Sequence, residues 1–140
     1  MKLEIRHLTS YLPYGLNIKD VKHGSVFEAL HFITTPNQDF SLFKGNFDQL
    51  INDKYLKPIL FPLSSLTKEI TINGKTFVPK KLILDSAKFH SEVPICVIDN
   101  DYRLWNVFEY EILLSLKFDI YNLIEKGLAE PVTEDFNPYK

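Results

Sequence analysis

The chain has 140 residues, of which 45% are hydrophobic, 14% aromatic and 24% charged, and its formal net charge is −2. This length supports one sizeable hydrophobic core, the aromatic content excludes wholesale disorder, and the small charge excludes a nucleic-acid coat protein or an acidic DNA mimic. We therefore expect a single domain over residues 1–130, followed by a loosely ordered tail over residues 131–140.

The first part of the chain predicts three strands. Residues 2–8 alternate between apolar and charged side chains, and residues 16–21 resume that alternation after a turn at Pro13 and Gly15. Residues 26–35 are rich in β-branched and aromatic side chains. Alternation with a period of two is typical of half-buried strands. The three strands are predicted to form a meander, and a short helix is expected near residues 46–53.

Prolines and serines divide the next segment. Pro58 and Pro62 enclose residues 59–61, which predicts a buried extended connector rather than a central strand, because proline lacks the N–H that a central strand donates. Ser64 or Ser65 then precedes Thr67, Lys68 and Glu69 and can cap a short helical turn.

A hairpin is the clearest local prediction. Asn73 and Gly74 stand between β-branched and aromatic residues, a pattern that favours a type I′ turn and predicts a tight hairpin over residues 70–79. Further along, the apolar run at residues 94–98 predicts a buried strand that contains Cys96.

The C-terminal part of the chain predicts one long helix. From Tyr102 to Lys126 there is no Gly or Pro, and apolar residues recur with helical spacing. Asp101 is placed to cap its start, and Gly127 is placed to end it in the left-handed conformation. The predicted fold is α+β: a small antiparallel sheet, made of the N-terminal meander and the Asn-Gly hairpin, packs against this one long C-terminal helix.

The sequence carries no strong catalytic or metal-binding motif. Residues 99–101 begin like a calcium-binding loop, but Leu104 stands where such a loop needs glycine. The histidines lack the spacing of metal ligands, and the isolated glycines form no phosphate-binding loop. Cys96 with His90 is the one pair that suggests a nucleophile and a base, which leaves a small hydrolase as a third alternative. We expect a non-enzymatic protein without cofactor or metal.

Features of the sequence also bear on the compartment. Glu4 and Arg6 interrupt any N-terminal signal peptide, no apolar stretch approaches the length of a membrane span, and the single cysteine provides no internal disulfide. A cytoplasmic protein without membrane contact is the expectation.

Charge is unevenly distributed along the chain. Residues 53–81 carry a net charge of +4, and residues 99–140 carry −5. Lysines with interleaved aromatic rings are typical of nucleic-acid-binding surfaces, and exposed tyrosines are frequent in protein interfaces. The candidate partner-binding residues are therefore lysines of the middle segment and three tyrosines: Lys54, Lys57, Lys75, Lys80, Lys81, Tyr11, Tyr14 and Tyr102.

Several segments of the sequence resemble those of small, uncharacterised proteins encoded by phages and prophages of Bacteroidota. They are MKLEIRHL at residues 1–8, YLPYGL at 11–16, KPILFPLSSLTKEI at 57–70, NGKTFVP at 73–79 and FDIYNLIEKGLA at 118–129. The chain departs from the pattern in residues 25–52 and 84–105. The resemblance implies a phage origin, and with it the cytoplasm of a bacterial host cell as the compartment, and carries over no activity and no functional residues.

Small accessory phage proteins without catalytic motifs often bind a host protein or ribonucleoprotein. The leading hypothesis is therefore an inhibitor of the anti-CRISPR kind, which binds a CRISPR effector ribonucleoprotein through a few aromatic and charged anchors. The alternative is a phage replication or assembly factor that binds DNA or RNA directly.

Overall fold

The structure, a computed structural model, describes residues 3–29, 54–90 and 107–140. In these ranges the α-helices are α1 (Ile5–Thr9), α2 (Pro79–His90) and α3 (Val107–Ser115). The strands are β1 (Leu16–Asp20), β2 (Val26–Ala29), β3 (Leu56–Leu60), β4 (Ile70–Ile72), β5 (Lys75–Phe77) and β6 (Glu130–Pro131). Two 3₁₀ helices span Leu12–Tyr14 and Leu63–Thr67. The fold is α+β.

The larger sheet is mixed. Its strand order is β2-β1-β3-β6, with β1 antiparallel to both β2 and β3, and β6 parallel to β3. Ile18 lies at the centre of β1, opposite Phe27 on one side and Pro58 on the other. The predicted all-antiparallel sheet is therefore wrong, because β6 comes from the far C-terminal part of the chain and joins in the same direction as β3.

One hydrophobic core joins the sheet to the helices. It includes Leu16 and Ile18 of β1, Ile59 and Leu60 of β3, and Leu113 of α3, all with no exposed surface. Each such side chain contributes about 1.5–3 kcal/mol when it is fully buried. The core therefore depends on residues that lie far apart in the sequence.

The N-terminal segment is a helix rather than the predicted strand. In α1 the Glu4 N–H donates to Nδ1 of His7 at 3.0 Å, which satisfies one of the free amides at the helix start. Leu8 and Tyr11 are fully buried on the side of α1 and the following turn that faces the core. The alternation over residues 2–8 was misleading, because a segment this short can also place its apolar side chains on one face of a helix.

Strand β3 corrects the prediction of an extended connector at residues 59–61. It is an interior strand that contains Pro58. Tyr55 O accepts from Val21 N at 2.8 Å, so the odd-numbered residues of β3 direct their backbone groups towards β1, and Pro58 directs its nitrogen away from that strand. On the other side β6 pairs only with Ile59 and Leu60, so the ladders of β3 do not need the N–H that proline lacks.

The Asn-Gly hairpin is confirmed. Strands β4 and β5 pair antiparallel with Ile70 opposite Phe77, and both turn residues have positive φ, 50° at Asn73 and 79° at Gly74. These angles match a type I′ turn. The helix α2 that begins directly after the hairpin was not predicted. Pro79 is its first residue, and proline is favoured at the first position of a helix.

The predicted long C-terminal helix is wrong. The described part of that segment holds α3, which has nine residues and ends at Ser115 rather than Lys126. Lys117 takes a φ of 59°, and the Lys117 and Phe118 N–H groups donate to Leu114 O and Leu113 O at 3.0 and 2.9 Å. This is a Schellman closure with lysine at a position where glycine is usual, so the sequence gives little sign of the helix end.

A second closure of the same kind lies at Gly127, where the sequence predicted a helix end. Gly127 has a φ of 73°, and the Gly127 and Leu128 N–H groups donate to Ile124 O and Leu123 O at 3.0 and 2.8 Å. The Asp119 carboxylate accepts from the Leu123 and Ile124 N–H groups, each at 2.8 Å. The local cap was predicted correctly, but it closes a separate turn and not the long helix.

Residues 131–140 differ from the expected loose tail. Val132 N–H donates to Leu60 O at 2.9 Å, and Tyr139 is only 6% exposed. The Tyr139 hydroxyl accepts from Asn17 N–H at 3.0 Å and donates to Ile59 O at 2.6 Å. Asn17 and Ile59 are the next pair along the β1–β3 ladder, so a hydroxyl group from the C-terminal segment bridges the two strands.

Other predicted elements lie outside the described residues. These are residues 30–35 of the third strand, the helix near residues 46–53, the strand that contains Cys96, and the start of the long helix at residues 101–106. No helix within the described ranges is both long and apolar enough to cross a membrane.

Candidate functional site

The site begins at the turn that ends β1. The Asp20 carboxylate accepts from the backbone N–H groups of Lys22 and His23 at 3.0 and 3.2 Å, and it contacts Nδ1 of His23 at 2.7 Å. The hydrogen bond from His23 lowers the pKa of Asp20, so this carboxylate is ionised at neutral pH. The carboxylate makes these hydrogen bonds within the turn, and they hold the backbone at Lys22 in place.

The register between β1 and β3 places two lysines directly opposite each other. Lys19 is paired with Lys57, and both side chains are half-buried. Opposed like charges on adjacent strands destabilise a sheet, and cross-strand pairs are worth about 0.2–1 kcal/mol. A pair of this kind gains stability when an anion lies between the two ammonium groups.

Tyr55 lies beside this pair. Val21 N–H donates to Tyr55 O at 2.8 Å, so the backbone pairing that sets Lys57 opposite Lys19 continues to Tyr55. The ring is 38% exposed, and the Nζ atoms of Lys54 and Lys22 lie 5.0 and 5.4 Å from its centroid.

A second aromatic ring borders the pair. Nζ of Lys19 lies 4.6 Å from the centroid of Phe136, which comes from the C-terminal segment. We call the four lysines and the exposed tyrosine the lysine surface: Lys19, Lys22, Lys54, Lys57 and Tyr55.

None of the four lysines of the lysine surface forms a salt bridge with a described acidic residue. Among the described residues, Arg6 pairs with Glu4 and His23 with Asp20, and neither of these salt bridges involves one of the four lysines. An exposed lysine on an aromatic ring contributes about 0.5–1 kcal/mol, whereas a nucleobase stacked on such a ring contributes about 1–3 kcal/mol. The surface therefore has more to gain from an anionic aromatic ligand than from its own internal contacts.

The structure brings together some of the lysines that the sequence singled out. Lys54 and Lys57 belong to the lysine surface, whereas Lys75 lies in β5, and Lys80 and Lys81 lie in the first turn of α2. The β4–β5 hairpin is not hydrogen-bonded to the larger sheet, so the middle segment does not form one continuous basic strip along a single sheet.

Of the three predicted tyrosines, one is exposed, one is buried and one lies outside the described residues. Tyr14 is 38% exposed, as a partner-binding residue requires. Tyr11 has no exposed surface, and its hydroxyl donates to Phe118 O at 2.6 Å, so it is a core residue. Tyr102 lies outside the described residues, as does Cys96 of the hydrolase alternative.

Sequence reasoning missed Lys19 and Lys22. Lys19 lies within the predicted strand at residues 16–21 and Lys22 follows it, and neither was among the candidate partner-binding residues. The signal that unites them with Lys54 and Lys57 is the β1–β3 register, which joins segments almost forty residues apart. A count of charges along the chain cannot show that register.

A cleft of about 890 Å³ lies elsewhere, between the 3₁₀ helix Leu63–Thr67, β4 and the C-terminal segment. Its charged lining residues are mixed in sign: Lys68, Lys140, Glu69 and Glu134. Such a rim favours no single class of charged ligand. The described residues also hold no cluster of three or more His, Cys, Asp or Glu side chains that could bind a metal ion.

Comparisons with known proteins identify no relative of this chain. No protein-family model, no curated protein and no solved structure matches this chain.

Proposed function

We propose that this protein is a non-enzymatic binding protein whose lysine surface contacts the phosphate backbone of a nucleic acid. The observation that carries the proposal is the cross-strand pair of Lys19 and Lys57, flanked by Lys22 and Lys54. Lysines that neutralise phosphates release condensed counterions, and this release provides most of the affinity for nucleic acids that is independent of sequence.

The rigidity of the sheet supports this function. Lys19 and Lys57 extend from paired strands, so little backbone entropy is lost when a phosphate binds between them. The aromatic rings of Tyr55 and Phe136 hold three of the lysine side chains near the strands before any ligand arrives. A preorganised basic surface with a stacking ring is the arrangement used by proteins that bind single strands.

The test compares charge reversals at two places. In Lys57→Glu, affinity for a short fluorescent oligonucleotide should fall about tenfold or more, and the slope of log Kd against log salt should fall by about 1. Lys81→Glu, which changes the net charge equally but lies exposed in α2, is the matched control and should change Kd less than about twofold. If the two variants lose affinity equally, then either the oligonucleotide binds at another surface or binding depends only on the net charge of the protein.

The same substitution has an opposite effect on folding. Lys57→Glu replaces two opposed lysines by an opposite-charge pair with Lys19, so the free energy of unfolding should rise by about 0.2–1 kcal/mol. Urea denaturation measures this change. A variant that is more stable but binds more weakly separates loss of function from loss of fold.

An inhibitor of the anti-CRISPR kind is the more specific version of this proposal. It is supported by the phage resemblance and by the fact that a ribonucleoprotein presents the same phosphate chemistry to the lysine surface. The protein should then inhibit at least one member of a panel of CRISPR interference assays, and Lys57→Glu should lose that inhibition. Binding to free DNA or RNA without inhibition would instead favour the replication or assembly factor.

A further inference from the structure

The outer edge of β4 has backbone groups that the hairpin does not use. In a two-residue hairpin the pair next to the turn exchanges hydrogen bonds, and so does the pair two positions further, which here is Ile70 and Phe77. Thr71 lies between these pairs, so its N–H and C=O groups point away from β5. The Glu69 C=O points away as well, because a trans peptide directs it opposite to the Ile70 N–H.

One half of this edge is already covered by the C-terminal segment of the same chain. The Asn137 side-chain amide donates to Thr71 O at 2.8 Å, and the Asn73 N–H donates to Tyr139 O at 2.8 Å. The other half is free: among the described residues, no group accepts from the Thr71 N–H or donates to the Glu69 C=O. The fold therefore uses this edge to bind polypeptide, and it leaves one donor and one acceptor unpaired.

The free half of the edge faces the cleft of about 890 Å³ described above. Glu69 and Thr71 line this cleft together with Asn137, which marks the side of β4 that the cleft lies on. The lining also includes Phe61 and Val132, which are only 2% and 7% exposed. Ligand pockets commonly have volumes of about 300–1,000 Å³. A short extended segment therefore has room to lie along the edge and contact apolar side chains.

We propose that this cleft binds an extended peptide segment of a protein partner, which adds as a strand to the outer edge of β4. A C=O group of the peptide accepts from the Thr71 N–H, and one of its N–H groups donates to the Glu69 C=O. In strand addition the main chain provides affinity, and pockets for alternate side chains provide specificity. Here an apolar side chain of the peptide contacts Phe61 and Val132.

The charges around the cleft favour a peptide over a nucleic acid. Four charged side chains belong to its lining: Lys68, Glu69, Glu134 and Lys140. Their formal charges cancel, so the cleft does not attract a polyanion. A peptide backbone is neutral and supplies both the acceptor and the donor that the edge needs. No residue of the lysine surface lines the cleft, so this inference goes beyond nucleic-acid binding and does not depend on it.

Two proline variants separate the two edges of the hairpin. Thr71→Pro removes the N–H that faces the cleft and spares the ladder, since that N–H is not donated to β5. Thr76→Pro is the matched control, because Thr76 lies directly opposite Thr71 and its N–H faces the other edge. Both variants lose the same contact between the two threonine hydroxyl groups, which lie 2.8 Å apart.

The probes are peptides selected against the whole wild-type chain from an mRNA-displayed library of random ten-residue sequences. Thr71→Pro should weaken their binding about fivefold or more, and Thr76→Pro should stay within about twofold of wild type. N-methylation of the peptide should weaken binding at alternate positions, because only every second N–H of a strand faces its neighbour. The proposal is wrong if no peptide is selected, or if the selected peptides bind Thr71→Pro as tightly as wild type.

Hydrogen exchange on the unaltered protein makes the test independent of how the variants fold. In the free protein the Thr71 N–H should exchange faster than those of Ile70 and Ile72, which are donated to β5. A selected peptide should slow exchange at Thr71 about tenfold or more. Protection at Thr71 without peptide would assign the edge to another part of this chain, and protection that rises with protein concentration would assign it to a second copy. Either result overturns the proposal.

The two binding activities are tested separately. Thr71→Pro should bind the fluorescent oligonucleotide within about twofold of wild type, because the cleft and the lysine surface share no residue. If wild-type protein binds the selected peptides but no oligonucleotide, the proposed function fails and this inference stands. The reverse result overturns this inference alone.

Discussion

His7 illustrates how a single buried side chain makes the fold sensitive to pH. It is 2% exposed, its ring lies 5.2 Å from that of Tyr121, and its Nδ1 accepts the Glu4 N–H at the start of α1. Burial lowers the pKa of His7 below its ordinary value of 6.5; Glu4 and Asp119 oppose the shift, and Arg6 and Lys126 add to it. Only the neutral ring can accept that hydrogen bond.

The stability of the protein should therefore fall as the solution is acidified below the ordinary histidine pKa. Because the folded-state pKa of His7 is depressed, the unfolded chain binds more protons, and unfolding is favoured as pH falls from about 6.5 towards the folded value. The largest slope from one such group is about 1.4 kcal/mol per pH unit. Urea denaturation across this pH range measures the slope.

His7→Asn is the matched variant for this prediction. The amide oxygen of asparagine can take the place of Nδ1 and accept the Glu4 N–H, but it does not titrate. The slope of the unfolding free energy in this window should be smaller in His7→Asn than in wild type. An unchanged slope would assign the acid sensitivity to another group.

At the scale of elements, the sequence predicted those structures whose cause is local. The Asn73-Gly74 turn and the strand β1 follow from neighbouring residues, and both are present. The end of α3 does not follow, because Lys117 adopts a left-handed conformation without being glycine or asparagine. Pro58 in β3 was misread because its tolerance depends on which way its nitrogen points, and that is set by pairing with β1.

Gly127 provides a test of the second Schellman closure. Its φ is 73° and an added Cβ would meet nothing within 4 Å, so the cost of a side chain comes from the backbone alone. Gly127→Ala should lower the free energy of unfolding by about 1–2 kcal/mol. Gly127→Asn should cost less, since asparagine tolerates this conformation better.

Chemical denaturation of the two variants gives the comparison. Equal losses of stability for alanine and asparagine would mean that left-handed backbone strain is not the cause.

At the scale of the whole molecule, the candidate site was only half visible in the sequence. Lys54 and Lys57 lie in the lysine-rich segment. Lys19 and Lys22 are distant from them in the sequence, and the pairing of β1 with β3 brings the two segments together. Tyr11 was misjudged because its aromatic ring suggested a contact surface, whereas its hydroxyl is bound to Phe118 O inside the core. The sequence alone does not distinguish a tyrosine on the surface from one in the core.

Tyr139 is the residue that ties the C-terminal segment to the sheet. Tyr139→Phe removes the hydroxyl that bridges Asn17 N and Ile59 O, and it leaves both backbone groups without that partner. The free energy of unfolding should fall by about 1–3 kcal/mol. The control is Tyr14→Phe at an exposed site, where we expect a change within about 0.5 kcal/mol.

Deletion of residues 132–140 should be more damaging than Tyr139→Phe, because it also removes the buried side chains of Val132 and Tyr139. We expect a loss of about 3 kcal/mol or more, measured by thermal and urea denaturation. If the truncated chain is as stable as wild type, the segment does not contribute to the core.

The bridge made by Tyr139 also has a consequence for the order of events during synthesis. The contacts of Ser10 with Tyr121, Tyr11 with Phe118 and Asn17 with Tyr139 span 111, 107 and 122 residues. A ribosome makes the N-terminal residues of these three contacts long before it makes their C-terminal partners, and such distant contacts slow folding. Strands β1, β2 and β3 are all made by residue 60, whereas the Tyr139 bridge between β1 and β3 can form only after translation has passed residue 139.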